Sequence, residues 1–376
     1  MKKIFRNQNV INYKKDLKKI KSLKKFPVFM GTSSQKKSRD LLADMNFYIS
    51  KSSGIVQLNP ILPFKTIYKK GHNSGLIGSL WKKHHSNFAS FIKAYKPRSV
   101  LEIGGGHGIL SKNYLNKKKI DWTIVEPNPS PVKGCKAKFI KAFFNKASIK
   151  KIKFDSIVHS HVLEHTFHPK NFFSLISKSL KPGEKMFFSV PNMQEMIKRY
   201  YANAMNFEHT LYLNEKIIEY FLKRFSFKII KKKFFQKDHS IFYATQKVSK
   251  KSKIVFKNEF NRNKNLFKIF FDHFDAQVKV INNHLKKYPN KNIFLFGGHI
   301  FSQFLINNGL LEDKILFILD NDKSKHKKRL YGTKLKILSP NILSNYTKPL
   351  VVLRAGVYSK EIKKQIKTIN NKAKFI

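Results

Sequence analysis

The run VLEIGGGHGILSKNYL, Val100 to Leu115, constrains the fold more than any other part of the chain. A strand-like apolar stretch leads directly into Gly104, Gly105, Gly106 and Gly108, and then into apolar positions at helical spacing. Glycines at such a point let the chain turn sharply and bring backbone N–H groups close to whatever lies beyond the strand end. Strand, glycine turn and helix in that order open a parallel α/β unit. The alternation continues through DWTIVEP, FDSIVHSHVLEH, FFSLISKSLKPGEKMFFSVP, and finally FSFKIIKKKFFQ with HSIFYATQK. The expectation is α/β: a mostly parallel sheet with helices on both faces.

The flanks read differently. Residues 1–25 form a lysine-rich lead, helical or disordered, and residues 26–75 a module of small strands and turns (FPVFMG, MNFYIS, GIVQL). Residues 76–250 hold the alternating core, and 251–288 a helical, charge-rich connector. Residues 289–376 open again with strand, glycines and helix (KNIFLFGGHIFSQFLINNGL), then KILFILDND and PLVVLRAG, as a second, smaller α/β domain. A chain of 376 residues has room for such a division.

The 76 Lys and Arg against 22 Asp and Glu give a net charge of +54, which raises nucleic acid as a partner. Only eight of the basic residues are Arg, the side chain suited to bidentate phosphate and guanine contacts, and the lysines are spread along the whole chain. A solvated basic surface is therefore expected, with some attraction to anionic substrates. The single cysteine, Cys135, excludes an intramolecular disulfide and a cysteine-rich zinc cluster. The N-terminus has no apolar h-region and no stretch approaches a membrane span, so a cytoplasmic protein is expected. His159, His161, His165 and His168 lie close together, but a strand-to-loop segment does not bring three imidazoles to one site by default, and no metal is expected.

Gly104, Gly106 and Gly108 follow G-x-G-x-G, whereas a dinucleotide turn needs its third glycine at position 109, here Ile109. Glu102 lies inside the strand end, where it favours a cationic ligand. Glu126 ends the next strand, where a carboxylate can accept both hydroxyls of a ribose. This ordered set resembles the class I S-adenosylmethionine-dependent methyltransferases, with E/D-x-G-x-G-x-G, an acidic end to strand two and a fourth-strand LEH segment, over about residues 76–248. The resemblance implies a Rossmann-like domain with S-adenosyl-L-methionine as cofactor. Glu102, Gly104, Gly106 and Gly108 would flank its methionine part and Glu126 would hold its ribose. HSHVLEH, with His161, would border cofactor and acceptor.

The flanks resemble those of the sugar C-methyltransferases. The frame Ser50-Lys51-Ser52-Ser53-Gly54-Ile55-Val56-Gln57-Leu58 matches a C-x-x-C-G-l-x-Q-L zinc motif with serine at both ligand positions, so this module is expected to lack metal. The last segment is similar to the same family's C-terminal domain. That family places Y-x-E-H after strand five; here Glu208 and His209 match while Asn206 stands at the tyrosine position. By the resemblance His209 would be a general base oriented by Glu208. It would act on a nucleotide-linked sugar or glycan precursor to C-methylate a keto-deoxysugar, with sugar O-methylation or RNA methylation as the alternatives.

Overall fold

The computed structural model describes residues 2–68, 78–116, 120–249, 256–288 and 292–376. The expected boundaries at 75/76 and 250/251, and the expected start of the last domain at 289, lie outside the described residues. The chain divides into two compact units. Unit one is Met1–Lys18, Ile49–Met196 and Glu208–Asn263; unit two is Lys19–Tyr48, Ile197–Phe207 and Lys264–Ile376.

Unit one is built on a seven-stranded sheet. Its strands are β1 (Ser99–Ile103), β2 (Asp121–Glu126), β3 (Lys138–Lys141), β4 (Ser156–Ser160), β5 (Lys185–Pro191), β6 (Phe227–Phe235) and β7 (Ser240–Lys247), in the order β6-β7-β5-β4-β1-β2-β3. The strands from β5 to β3 pair in parallel, while β7 is antiparallel to both β5 and β6. Strand periodicity explains the two cores. Leu101, Ile103, Ile157 and Phe188 join one apolar cluster, and their neighbours Val100, Val158 and Phe187 join the other. Among the helices are α1 (Gly78–Lys93), α2 (Ile109–Leu115), α3 (Pro169–Ser179), α4 (Glu215–Arg224) and the short α5 (Gln236–His239). The strand order reverses at β1, so the glycine turn after β1 faces the crevice where open α/β sheets bind ligands.

At the start of unit one, Asn9 accepts from the N–H groups of Ile11 and Asn12. The buried Arg6 guanidinium donates to the carbonyls of Leu58, Phe167 and Thr210. Burial lowers its pKa to about 9. The serine frame is closed by hydrogen bonds: Asp16 accepts from the Ser50 hydroxyl at 3.1 Å and from the Ser52 N–H at 2.7 Å, and Ser50 Oγ accepts from the Ser53 N–H. The lead is therefore neither helical nor disordered. Its lysines mask the apolar positions Leu23 and Phe26, which are buried in a strand, Leu17–Pro27.

Unit two holds a five-stranded parallel sheet in the order Ile337–Leu338, Phe317–Leu319, Ile293–Phe296, Leu350–Leu353, Lys374–Phe375. The expected connector forms a helix over Phe260–Lys287, and most of that helix belongs to unit two. It is core as much as connector: Phe274 packs edge-on to Phe304 with ring centres 4.6 Å apart, and Phe271 does the same to Phe47 at 5.2 Å. Asp40, from the expected N-terminal module, also falls in this unit, where Arg329 donates to both its oxygens at 2.6 and 2.8 Å.

Candidate active site

The glycine turn takes the shape its sequence requires. Gly104 sits at φ +70°, and a Cβ there would come 2.8 Å from Val162 Cγ2; Gly108, at φ +68°, would meet Cys135 Sγ at 2.5 Å. Gly106 also lies in the left-handed region, facing open space, and its N–H donates to Glu126 Oε2 at 3.1 Å. The other Glu126 oxygen accepts from the Asn128 N–H at 2.9 Å. Each carboxylate oxygen keeps a further lone pair for a ligand hydroxyl. Glu102 is buried and accepts from Trp122 Nε1 at 2.7 Å. Burial, opposed by this hydrogen bond and assisted by the charge of Glu126, raises its pKa to about 7. Without a ligand it is therefore only partly ionised at neutral pH, and a cationic ligand would favour its charged form.

Glu102, Gly104, Gly106 and Glu126 line a cavity of about 880 Å³, large enough for a nucleoside-sized cofactor. Its lining also includes Tyr68, His161 and His165. The histidine-rich segment splits by environment. His159 is fully buried and stacked on Phe188 at 5.0 Å, and burial lowers its pKa to about 3. His161 is held in the left-handed region at φ 53°, with its Nε2 2.9 Å from Ser240 Oγ. His165 Nδ1 lies 3.1 Å from the Tyr68 hydroxyl and 3.9 Å from Glu208 Oε2, and its ring stands edge-on to that of His209 with centres 5.2 Å apart.

Buried Glu164 stands behind this group. Its Oε1 is 3.3 Å from His161 Nδ1 and 3.6 Å from His165 Nε2, ion-pair separations without the alignment of good hydrogen bonds. Burial alone would lower His165, but Glu164 and then Glu208 outweigh it and raise its pKa. The same pairing overrides burial at Glu164 and holds its carboxyl well below the usual range. His165 is thus biased toward its cation.

Of the residues singled out in the sequence, Glu102, Gly104, Gly106, Glu126 and His161 line the cavity. Gly108 caps the start of α2 beneath it. Glu208 and His209 are reached through His165. Asn206 lies in unit two, where its side chain donates to the Asn203 carbonyl at 2.9 Å. Sequence reasoning missed Tyr68, which precedes α1 and carries no motif, and the placing of His165 in the cavity.

Residues 80–232 match a family described as a methyltransferase domain. No curated protein matches the chain. Among solved structures the chain is similar to an O-methyltransferase family protein from Burkholderia thailandensis (10% identity, 45% of this chain and 57% of that one, TM-score 0.37). It is also similar to a 1,6-didemethyltoxoflavin-N1-methyltransferase from the same organism, solved with S-adenosylhomocysteine (15%, 54% and 98%, TM-score 0.39). A third is the N-methyltransferase NodS from Bradyrhizobium japonicum WM9 with S-adenosyl-L-homocysteine (14%, 46% and 90%, TM-score 0.34). The chain spans little more than half of the first of these. Among the described residues no helix is long and apolar enough to cross a membrane. The glycine turn and Glu126 thus fall inside the stretch, residues 80–232, that matches a methyltransferase domain.

Proposed function

We propose that the enzyme methylates a nucleotide-linked sugar or glycan precursor in the cytoplasm, with His209 as general base and a ketone-activated carbon as the methyl acceptor. The observation that carries this reading is the convergence of Tyr68, His165, Glu208 and His209, from three separate stretches, beside the cavity of the glycine turn. The order read from the sequence motivates the sugar acceptor: a serine-substituted frame at Ser50–Leu58, the catalytic domain over 76–250 and a C-terminal domain over 289–376, although the expected module over 26–75 is divided, Lys19–Tyr48 grouping with unit two.

The donor site fits the cofactor. Glu126 offers two acceptor oxygens, and Glu102 offers a carboxyl that becomes anionic beside a cation. When bound, S-adenosylmethionine supplies the electrophilic methyl and leaves as a neutral thioether. His209, oriented by Glu208, takes the proton from the carbon beside the acceptor ketone. His165, biased toward its cation, stabilises the negative charge that develops on the ketone oxygen, and the Tyr68 hydroxyl fixes the ring that does so. The carbon then bonds the methyl, and the proton remains on His209 until solvent removes it.

Sugar O-methylation is the second reading, favoured by Asn206 at the position where the resembling family keeps a tyrosine. Solvent deuterium separates the two. An enolising enzyme incorporates deuterium at the carbon beside the ketone of a keto-sugar nucleotide, and the H209A variant does not. A methyl ether as product, with no exchange, would overturn C-methylation and leave the donor site standing.

A further inference from the structure

We propose that His84, His161 and His239 form a binding site for a divalent transition-metal ion, with zinc the ion its ligand chemistry fits best. The three come from separate elements of unit one: α1, the turn after β4, and the end of α5. Each offers a ring nitrogen, and the three nitrogens lie within 4.8 Å of one another. The ring centres are 5.2 Å (His84–His161), 5.4 Å (His84–His239) and 6.1 Å (His161–His239) apart. Imidazoles on one tetrahedral zinc, with Zn–N of about 2.0–2.1 Å, have ring centres about 5 Å apart, so small side-chain rotations would close the set.

The surroundings match what such an ion needs. His84 is fully buried, and its Nδ1 has no hydrogen-bond partner. The Ser240 hydroxyl stands 2.9 Å from His161 Nε2 and 2.6 Å from His239 Nδ1, so it would have to yield to an ion between these two rings. On its other side His161 turns Nδ1 toward Glu164 at 3.3 Å, so that a carboxylate charge stands behind the ring. Trp81 closes one side, its ring 4.9 Å from those of both His161 and His239. Three protein ligands leave a fourth position open. Trp81 and His161 also line the cavity, so the set adjoins it.

A second group, Glu164, His165 and His209, also brings ligand atoms together. There the His165 Nδ1 already faces Tyr68 and Glu208, which competes with an ion. The metal-free reading of the sequence concerned the four histidines from His159 to His168 and the serines Ser50 and Ser53. Only one of them, His161, belongs to this set, and its partners lie 77 residues before and 78 after it.

The test uses the full chain, stripped with chelator and titrated calorimetrically with Zn²⁺, then loaded with Co²⁺ to read visible d–d absorption. One ion per chain is expected, with affinity reduced about 100-fold or more in both H84A and H239A, and retained in H209A. Circular dichroism reports whether each variant folds; H239A decides alone if H84A does not, since His239 is the less buried of the two. No binding by the stripped wild type overturns the proposal, as does undiminished affinity in a folded H239A. Affinity lost in H209A but kept in H239A overturns it too, by moving the ion to the Glu164 group. None of these readouts depends on methyl transfer or on the acceptor.

Discussion

The two walls of the cavity in unit one are made in different ways. The donor wall is continuous in sequence: β1, the glycine turn and β2 deliver Glu102, the three glycines and Glu126 within 25 residues. Its carboxylates are held by backbone N–H groups and by one indole. The histidine wall is gathered from Tyr68, α1 and the turn after β4, with the loop before α4 and α5 packed behind it, and its groups are held mainly by one another. A wall whose partners are backbone atoms is specified by local turn chemistry. A wall whose partners are side chains exists only once the sheet has assembled.

The largest expected effect tests the second wall. H209A should lose roughly two to four orders of magnitude in turnover while donor affinity stays near wild type, read by steady-state kinetics and calorimetry, and the pH profile should lose one limb. A matching loss of donor affinity would mean that the two walls are not separable.

Glu102 gives the next effect, of opposite sign. Its folded pKa of about 7 lies above the ordinary carboxyl value of 4.5, so the folded chain holds this proton more tightly and stability falls as pH rises between the two. E102Q copies the protonated form and keeps an acceptor for Trp122. It should therefore be more stable than wild type by on the order of 3 kcal/mol at pH 8 and scarcely different at pH 4, measured by denaturant unfolding. Equal stability at both pH values would place the Glu102 pKa near the ordinary range.

Glu126 comes third. E126A should weaken S-adenosylmethionine binding by about 1.5–3 kcal/mol, because the ribose hydroxyls lose a charged acceptor. Unchanged calorimetric affinity would remove Glu126 from the donor wall. The smallest effect concerns the basic surface: RNA binding should be weak and vanish at physiological salt, and micromolar binding persisting there would give the cavity a different acceptor.

This contrast explains what could be read from the chain. The parallel sheet and the glycine turn were legible because strand alternation and left-handed glycines are local properties, carried by Val100–Leu115 and by Glu126. The strand Leu17–Pro27 was not, because lysines cover its exposed face and leave only Leu23 and Phe26 to report the buried one. Nor was the core role of the helix over Phe260–Lys287, whose phenylalanines sit among enough charge to read as a connector. At the site, Glu208 and His209 carried a motif. Tyr68 and His84 carried none, and their roles depend on contacts across 97 and 77 residues of sequence respectively, which spacing cannot supply.

The turn closed on Asp16 exchanges one kind of vulnerability for another. A knuckle of thiolates around zinc opens when oxidant or chelator reaches it, whereas hydroxyls and a carboxylate are indifferent to both. Although burial would raise the Asp16 pKa, hydrogen bonds from Ser52, Asn9 and Ser50 prevail and hold it below the ordinary value. The closure is therefore secure from neutral pH down through the usual carboxylate range, and is lost only as pH falls through that depressed value. Acid, not redox state, is the condition under which this corner of the molecule would come undone.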